Sequence, residues 1–242
     1  AATLDRLVTE PYVVSLDGNE QYKTLDDFAR LLKAMGKGSA LRRFRKSIAF
    51  VEQPLDRAVA LDPAVTKALG ALGVPVIIDE SDGELGSFKA AVKLGYLGVS
   101  TKNCKGIIKS FLNRSLIERW KARQKPQAAL FMTAEDLTTL PVLPLQQDLA
   151  TVRALGITHV ERNGHHYVKG LSHCSRRERQ QATRLHRDLY RGGEDKAHLR
   201  IEDGLVRVAS LGTPGYGGAF EPDLASMTPL EDWSFESLEA ET

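Results

Sequence analysis

Along residues 11–191, short apolar runs alternate with longer stretches in which apolar residues recur every third or fourth position. "PYVVSLD" leads into "TLDDFARLLKAMGK", "SIAFVEQP" into "DPAVTKALGALG", "VPVIIDES" into "GSFKAAVKLG", and "YLGVSTKN" into "GIIKSFLNRSLIERWKARQ". "AALFMTAED" then precedes "LPLQQDLATVRALG", and "ITHVERNGHHYVKG" precedes "SRRERQQATRLHRDLYR". The short runs are apolar on successive residues, the pattern of strands covered on both faces. The periodic stretches predict amphipathic helices. About six strand-then-helix units in this order predict a parallel α/β sheet or barrel. Three helical stretches end in glycine, in "LGALG", "VKLG" and "RALG", where a helix must stop before the next strand. The pattern breaks in "HLRIEDGLVRVASLGTPGYGGAFEPD", which predicts a hairpin and an irregular loop, and "PLEDWSFESLEAET" reads as an acidic, frayed tail.

Composition narrows the partners. The chain has 242 residues, with 33 basic and 31 acidic side chains and a net charge of +2. That length can bury a substantial core. The balanced charge provides no overall field for nucleic acid or membrane. The basic segment "SRRERQQATRLHRDLYR" is interrupted by Glu178 and Asp188 and is nearly without stacking aromatics, which argues further against nucleic acid. No apolar run approaches the roughly eighteen residues of a membrane span. The opening "AATLDRLVTE" has no signal-peptide pattern, so a cytoplasmic protein is expected. Cys104 and Cys174, far apart in unlike contexts, are expected to be free thiols.

The strand ends carry the chemistry. They read "LDGNE", "FVEQP", "IIDES" and "STKNCKG", so three successive strands deliver a carboxylate and the fourth a lysine. In a parallel β/α architecture these ends lie side by side on the face where sites are built. Asp17, Glu52 and Asp79 would converge, and three unpaired carboxylates repel unless a cation neutralises them. Ligands that are all carboxylate oxygen point to Mg²⁺, with Mn²⁺ as a substitute. Glu80 and Ser81 read instead as N-caps of the next helix. In "NGHHYVKG", His165 and His166 face opposite sides of a strand and read as core or surface residues; His173 could reach the mouth. The cluster Arg42, Arg43, Arg45 and Lys46 reads as a solvated helix face rather than an anion site.

In that order, and about one β/α unit apart, "DGNE", "VEQP", "DES" and "TKNCKG" resemble the enolase superfamily, specifically the barrel domain of mandelate racemase and muconate lactonizing enzyme relatives. The C-terminal "GTPGYGGAFEPD" is similar to that family's closing segment. The resemblance implies a (β/α) TIM-type barrel, here about strands three to eight plus a C-terminal return segment. Residues 1–170 would be the partial barrel carrying the metal site. Residues 171–242 would pack back toward a capping domain outside this chain. The resemblance also implies Asp17, Glu52 and Asp79 as Mg²⁺ ligands, Asn19 as support for the first, and Lys102 as the base, with Lys105 a competing candidate. Glu135 either faces the site or caps the next helix. The implied reaction removes the proton next to a substrate carboxylate through an enediolate, in a lyase or isomerase acting on a small-molecule carboxylate such as a sugar acid. Lys102 would need a lowered pKa to act as base. The sixth-strand lysine and the absence of histidine from "FMTAED" set the chain apart from the His–Asp type of relative.

The first motif corresponds to the family's third barrel strand. The capping domain and first strands, with any second catalytic lysine, would come from the same gene product or another chain. Relatives commonly assemble, so a homo-oligomer is expected. The alternative is a non-catalytic relative that keeps the metal site as a binding or assembly module. A third reading, an unrelated barrel for a phosphorylated ligand, lacks an evident glycine-rich phosphate loop.

Overall fold

The computed structural model describes residues 1–37, 41–123, 129–135, 140, 142–162, 169–193 and 196–238. The chain divides into two compact units, Ala1–Glu135 with Leu155–Glu161, and Asp136–Ala154 with Arg162–Thr242.

The first unit contains the parallel sheet. Its strands are β1 (Val14–Asp17), β2 (Ile48–Glu52), β3 (Val76–Ile78), β4 (Gly98–Thr101), β5 (Phe131–Glu135) and β6 (Val160–Glu161). They pair in sequence order, β1-β2-β3-β4-β5-β6. Every pairing is parallel. Right-handed crossovers that always step in one direction keep their helices on one face of the sheet, whereas a doubly wound sheet reverses direction and covers both. The sequential order is therefore that of a β/α barrel wall, and the fold is an incomplete TIM-type barrel.

The strands bury themselves as their composition predicts. Phe50, Val51, Val76, Ile77, Ile78, Val99, Met132 and Ala134 are all buried. Helix α2 (Leu25–Lys37) follows α1 (Ala2–Leu7) and β1 and buries Leu25, Phe28, Leu32 and Met35, one stripe at helical spacing. Next come α3 (Arg42–Ser47) before β2, and α4 (Arg57–Ala60) and α5 (Thr66–Leu69) between β2 and β3. After β3 and β4 come α6 (Ser87–Leu94) and α7 (Ile107–Ala122). The expected helix over "DPAVTKALGALG" is broken into single turns, with Gly70 inside it favouring no regular helix. Glycine stops occur where expected: Gly73, Gly95 and Gly156 have φ of 62°, 101° and 65°, values a side chain would resist.

The basic cluster on α3 is partly structural. Arg43 donates to the carbonyls of Val8 at 2.6 Å and Thr9 at 3.1 Å, and lies over the Tyr12 ring at 4.9 Å. Arg45 donates to the Leu72 carbonyl at 2.9 Å. Arg42 and Lys46 are exposed.

The second unit is less regular. Helix α8 (Leu143–Leu155) belongs to it except for Leu155, and α9 (Arg176–Leu185) starts at a capping box in which Ser175 and Glu178 satisfy each other's backbone N–H. The sequence predicts α9 running on to Arg191; it stops at Leu185, because Leu189 and Tyr190 both donate to the His186 carbonyl and turn the chain. Short antiparallel pairs follow, β7 (Tyr190–Arg191) with β8 (His198–Leu199), and β9 (Ile201–Glu202) with β10 (Leu205–Val206). The latter is the predicted hairpin, and Asp203 and Gly204 at φ 51° and 73° suit its two-residue turn. Leu145, Leu149, Leu171, Ala182, Leu189 and Tyr190 are among the residues of its core. Among the described residues no helix is long and apolar enough to cross a membrane. Cys104 is exposed, Cys174 is buried, and both are free thiols.

Candidate metal centre

Each strand of the sheet ends in or next to an ionisable residue. Asp17 pairs in register with Glu52, and Glu135 pairs with Glu161. Asp79 follows Ile78 at the end of β3, and Lys102 follows Thr101 at the end of β4. Glu161 was not singled out in the sequence. Its signal was the ending "HVE", apolar strand then acid, the same form as "FVE" at Glu52.

The structure brings Glu52, Asp79 and Glu135 together: each offers a carboxylate oxygen, all within 4.8 Å of one another. Asp17, the first of the expected ligands, stands outside this group and is exposed, its carboxylate accepting from the Asn19 N–H at 2.8 Å. Asn19 thus supports Asp17 through its backbone. Glu80 is half-buried, and neither it nor Ser81 caps α6, whose N-cap is Gly86 five residues beyond Ser81. His165 and His166 lie outside the described residues. His173 belongs to the second unit, where its Nε2 is 3.4 Å from Cys174 Sγ.

Two lysines neutralise the acids. Lys102 Nζ lies 2.7 Å from Asp79 Oδ2 and 2.6 Å from Glu135 Oε2. Lys105 Nζ donates to Asp79 Oδ1, to the Asp79 carbonyl at 2.7 Å and to the Ser100 carbonyl at 3.0 Å. Three acceptors fill the donors of the Lys105 ammonium, so this side chain is a fixed counter-ion. Lys102, with two carboxylates and 9% of its side chain exposed, is the lysine that faces the acid cluster.

The electrostatics follow from burial and crowding. Burial pushes the Glu52 carboxyl up to about 8, with Asp79, Asp17 and Glu135 adding to the rise and the neighbouring Ser100 side chain opposing it. Glu80 is pushed up to about 7 by burial and by Asp79. Loss of water raises Asp17 too, against the Asn19 N–H, and burial raises Glu135 against its bond to Lys102. Burial would depress Lys102, but its bonds to Asp79 and Glu135 outweigh that and hold its pKa above the usual lysine value. The expected lowering is therefore reversed here, because both nearest charged groups are acids.

The donors fit a hard divalent cation. All are carboxylate oxygens within 4.8 Å of one another, the donor type Mg²⁺ takes; neighbouring oxygens around an octahedral Mg²⁺ stand about 3 Å apart, so the cluster would draw in around the ion. Glu80, next to Asp79 in the chain, stands outside this group, and its buried Oε2 has no hydrogen-bond partner among the described residues.

Solved structures similar to the chain include the following three. The mandelate racemase/muconate lactonizing enzyme from Roseiflexus sp. is 23% identical, with a TM-score of 0.47 over 62% of this chain and 39% of that one. The mandelate racemase/muconate lactonizing protein from Herpetosiphon aurantiacus is 18% identical, with a TM-score of 0.47 over 63% and 39%. That from Paracoccus denitrificans, complexed with magnesium, is 15% identical, with a TM-score of 0.39 over 63% and 39%. In fold, the chain is a run of parallel β/α units paired in sequence order. It spans 39% of the length of these mandelate racemase/muconate lactonizing structures. No protein-family model and no curated protein matches it.

Proposed function

We propose that the chain carries the metal-site portion of an enolase-superfamily enzyme, a lyase or isomerase that removes the α-proton of a small carboxylate such as a sugar acid. The observation that carries this reading is Glu52: a carboxyl only 5% exposed, raised to about 8 and facing the acids Asp79, Asp17 and Glu135. A cation relieves that crowding. Glu52 and Asp79 would hold Mg²⁺, or Mn²⁺ in its place, with Asp17 turning in from the adjoining strand as the third ligand. Glu135 is assigned to Lys102, whose Nζ it meets at 2.6 Å. When bound, the ion would stabilise negative charge developing on the substrate carboxylate.

The chain's own residues supply the remainder. Lys102 is the base, held at the rim of the cluster by Asp79 and Glu135; it becomes able to take a proton once a bound cation offsets those acids and its ammonium gives up the proton they stabilise. Lys105 neutralises Asp79 from the other side and keeps that loop in place. An upstream capping domain and further barrel strands would close the pocket, and a cytoplasmic homo-oligomer is the proposed working form. Retention of the metal site without catalysis is the second reading, favoured by the buried pairing of Lys102 to two acids.

Titration with MgCl₂ and MnCl₂ followed by calorimetry tests the metal: Glu52→Gln and Asp17→Asn should both weaken binding, and equal affinity in all three proteins would reject the ligand set. Loss of affinity in Glu135→Gln with none in Asp17→Asn would transfer the third place to Glu135. Exchange of a substrate α-proton with deuterated solvent, in the protein with its upstream region present, tests the chemistry. No exchange in that protein would leave the non-catalytic reading standing.

A further inference from the structure

We propose that Gln53 is the positioning residue of the acid cluster, a neutral bracket that sets Asp79 in place while linking the ends of three strands. The inference rests on the metal-site reading above and adds to it a residue outside the ligand set.

Gln53 directly follows Glu52 and is 1% exposed. Its backbone has φ 32°, the left-handed region that a side chain normally avoids, so something must hold it there. Its N–H donates to the Ile77 carbonyl at 2.9 Å, and its carbonyl accepts from the Glu20 N–H at 2.9 Å. Its side-chain carbonyl accepts from the Asp79 N–H at 2.8 Å and the Ser81 N–H at 3.1 Å. Its side-chain amide donates to the Leu55 carbonyl at 2.7 Å and to Ser81 Oγ at 2.7 Å. A glutamine side chain offers two donors and one oxygen with two lone pairs, and here all are used.

The chemistry favours glutamine over its relatives. A glutamate could accept both N–H groups but would lack the two donors, and it would add a further negative charge beside Glu52, Asp79 and Glu135. An asparagine is one methylene too short. The surrounding turn is tied down as well: Gly18 donates to the Glu52 carbonyl at 2.8 Å, and a Cβ on Gly18 would meet Pro54 Cα at 2.5 Å. The loops bearing Asp17, Glu52 and Asp79 therefore close on one another through the "EQP" segment.

The test compares the full chain with Gln53→Ala, Gln53→Met and Gln53→Glu, by amide hydrogen exchange and by calorimetric titration with MgCl₂ well below each melting midpoint. Gln53→Ala and Gln53→Met should lose exchange protection at Asp79 and Ser81 while the Val99 amide stays protected, and should bind Mg²⁺ about 10- to 100-fold more weakly. Gln53→Glu keeps both acceptor bonds but loses both donors, one of them to the Leu55 carbonyl, so its protection should fall between that of Gln53→Met and the parent. Unchanged protection at Asp79 and Ser81 in a folded Gln53→Met protein, or Mg²⁺ affinity within about twofold of the parent, would overturn the proposal. Should the parent bind no divalent ion, the metal reading falls, and the exchange data alone still decide whether Gln53 holds the loop. Should Gln53→Ala fail to fold, Gln53→Met, which keeps the volume, gives the same two readouts.

Discussion

Asp79 and Asp82 stand three positions apart on one loop, both 2% exposed and both held by lysine, yet their surroundings differ. Asp82 is tied to one helix: its Oδ2 is 3.4 Å from Lys109 Nζ and accepts from Asn113 Nδ2 at 3.2 Å, both from α7, while its buried Oδ1 has no hydrogen-bond partner among the described residues. Burial raises its carboxyl, and Lys109 and Asn113 oppose the rise. Asp79 is instead one of several acids on neighbouring strands, and it draws two lysines. A buried aspartate with one cation and one amide fastens a loop to a helix. A buried aspartate among other carboxylates gathers its counter-ions into one cluster at the strand ends.

The two lysine sets should therefore separate chemistry from stability. The largest effect is expected in Lys102→Ala, which should slow α-proton exchange by about 10²- to 10⁴-fold with a circular-dichroism spectrum unchanged. An unaltered exchange rate would mean that Lys102 is not the base. Lys109→Ala should do the reverse, lowering unfolding free energy in urea by about 3–5 kcal/mol because Asp82 is left buried without its cation. Exchange per folded molecule should remain.

A smaller and pH-dependent effect is expected at Glu52. Its folded-state carboxyl titrates at about 8 against an ordinary 4.5. The folded chain thus holds this proton more tightly than the unfolded one, and the group costs stability progressively as pH climbs through that window. Without added divalent ion, Glu52→Gln should match the parent near about pH 4 and exceed it by about 1–3 kcal/mol near about pH 8, in melts run across pH. A parallel decline of both proteins would contradict the assignment. The smallest effect belongs to Asn113→Ala, which removes a long bond to a charged group and should cost about 1 kcal/mol without changing Mg²⁺ affinity. A loss of affinity there would blur the division between the two aspartates.

Much of the fold was legible because it depends on local pattern. Apolar runs, glycine stops and the Asp203-Gly204 turn each act within a few residues, so β/α alternation could be read directly. The order of strands made the convergence of Glu52 and Asp79 foreseeable. What escaped was set by contacts between distant residues. Gln53 reaches Asp79 across 26 positions, and nothing in "VEQP" announces that its amide will be fully used. The sequence leaves Glu135 either facing the site or capping the next helix, and its 2.6 Å pairing with Lys102 across adjoining strands agrees with the first. Lys102 and Lys105 look alike on paper; the carbonyl of Ser100 distinguishes them by filling one donor of the second.

Glu52, Asp79 and Glu135 arrive from three separate strands, with long stretches of chain between them. No excised peptide can reproduce their meeting, because the oxygens become neighbours only after distant hydrogen-bond ladders have closed. During synthesis the last of these acids emerges well after the first, so the acid cluster is a late product of folding, and the pairing of Glu135 with Lys102 would report that the sheet has formed through its fifth strand.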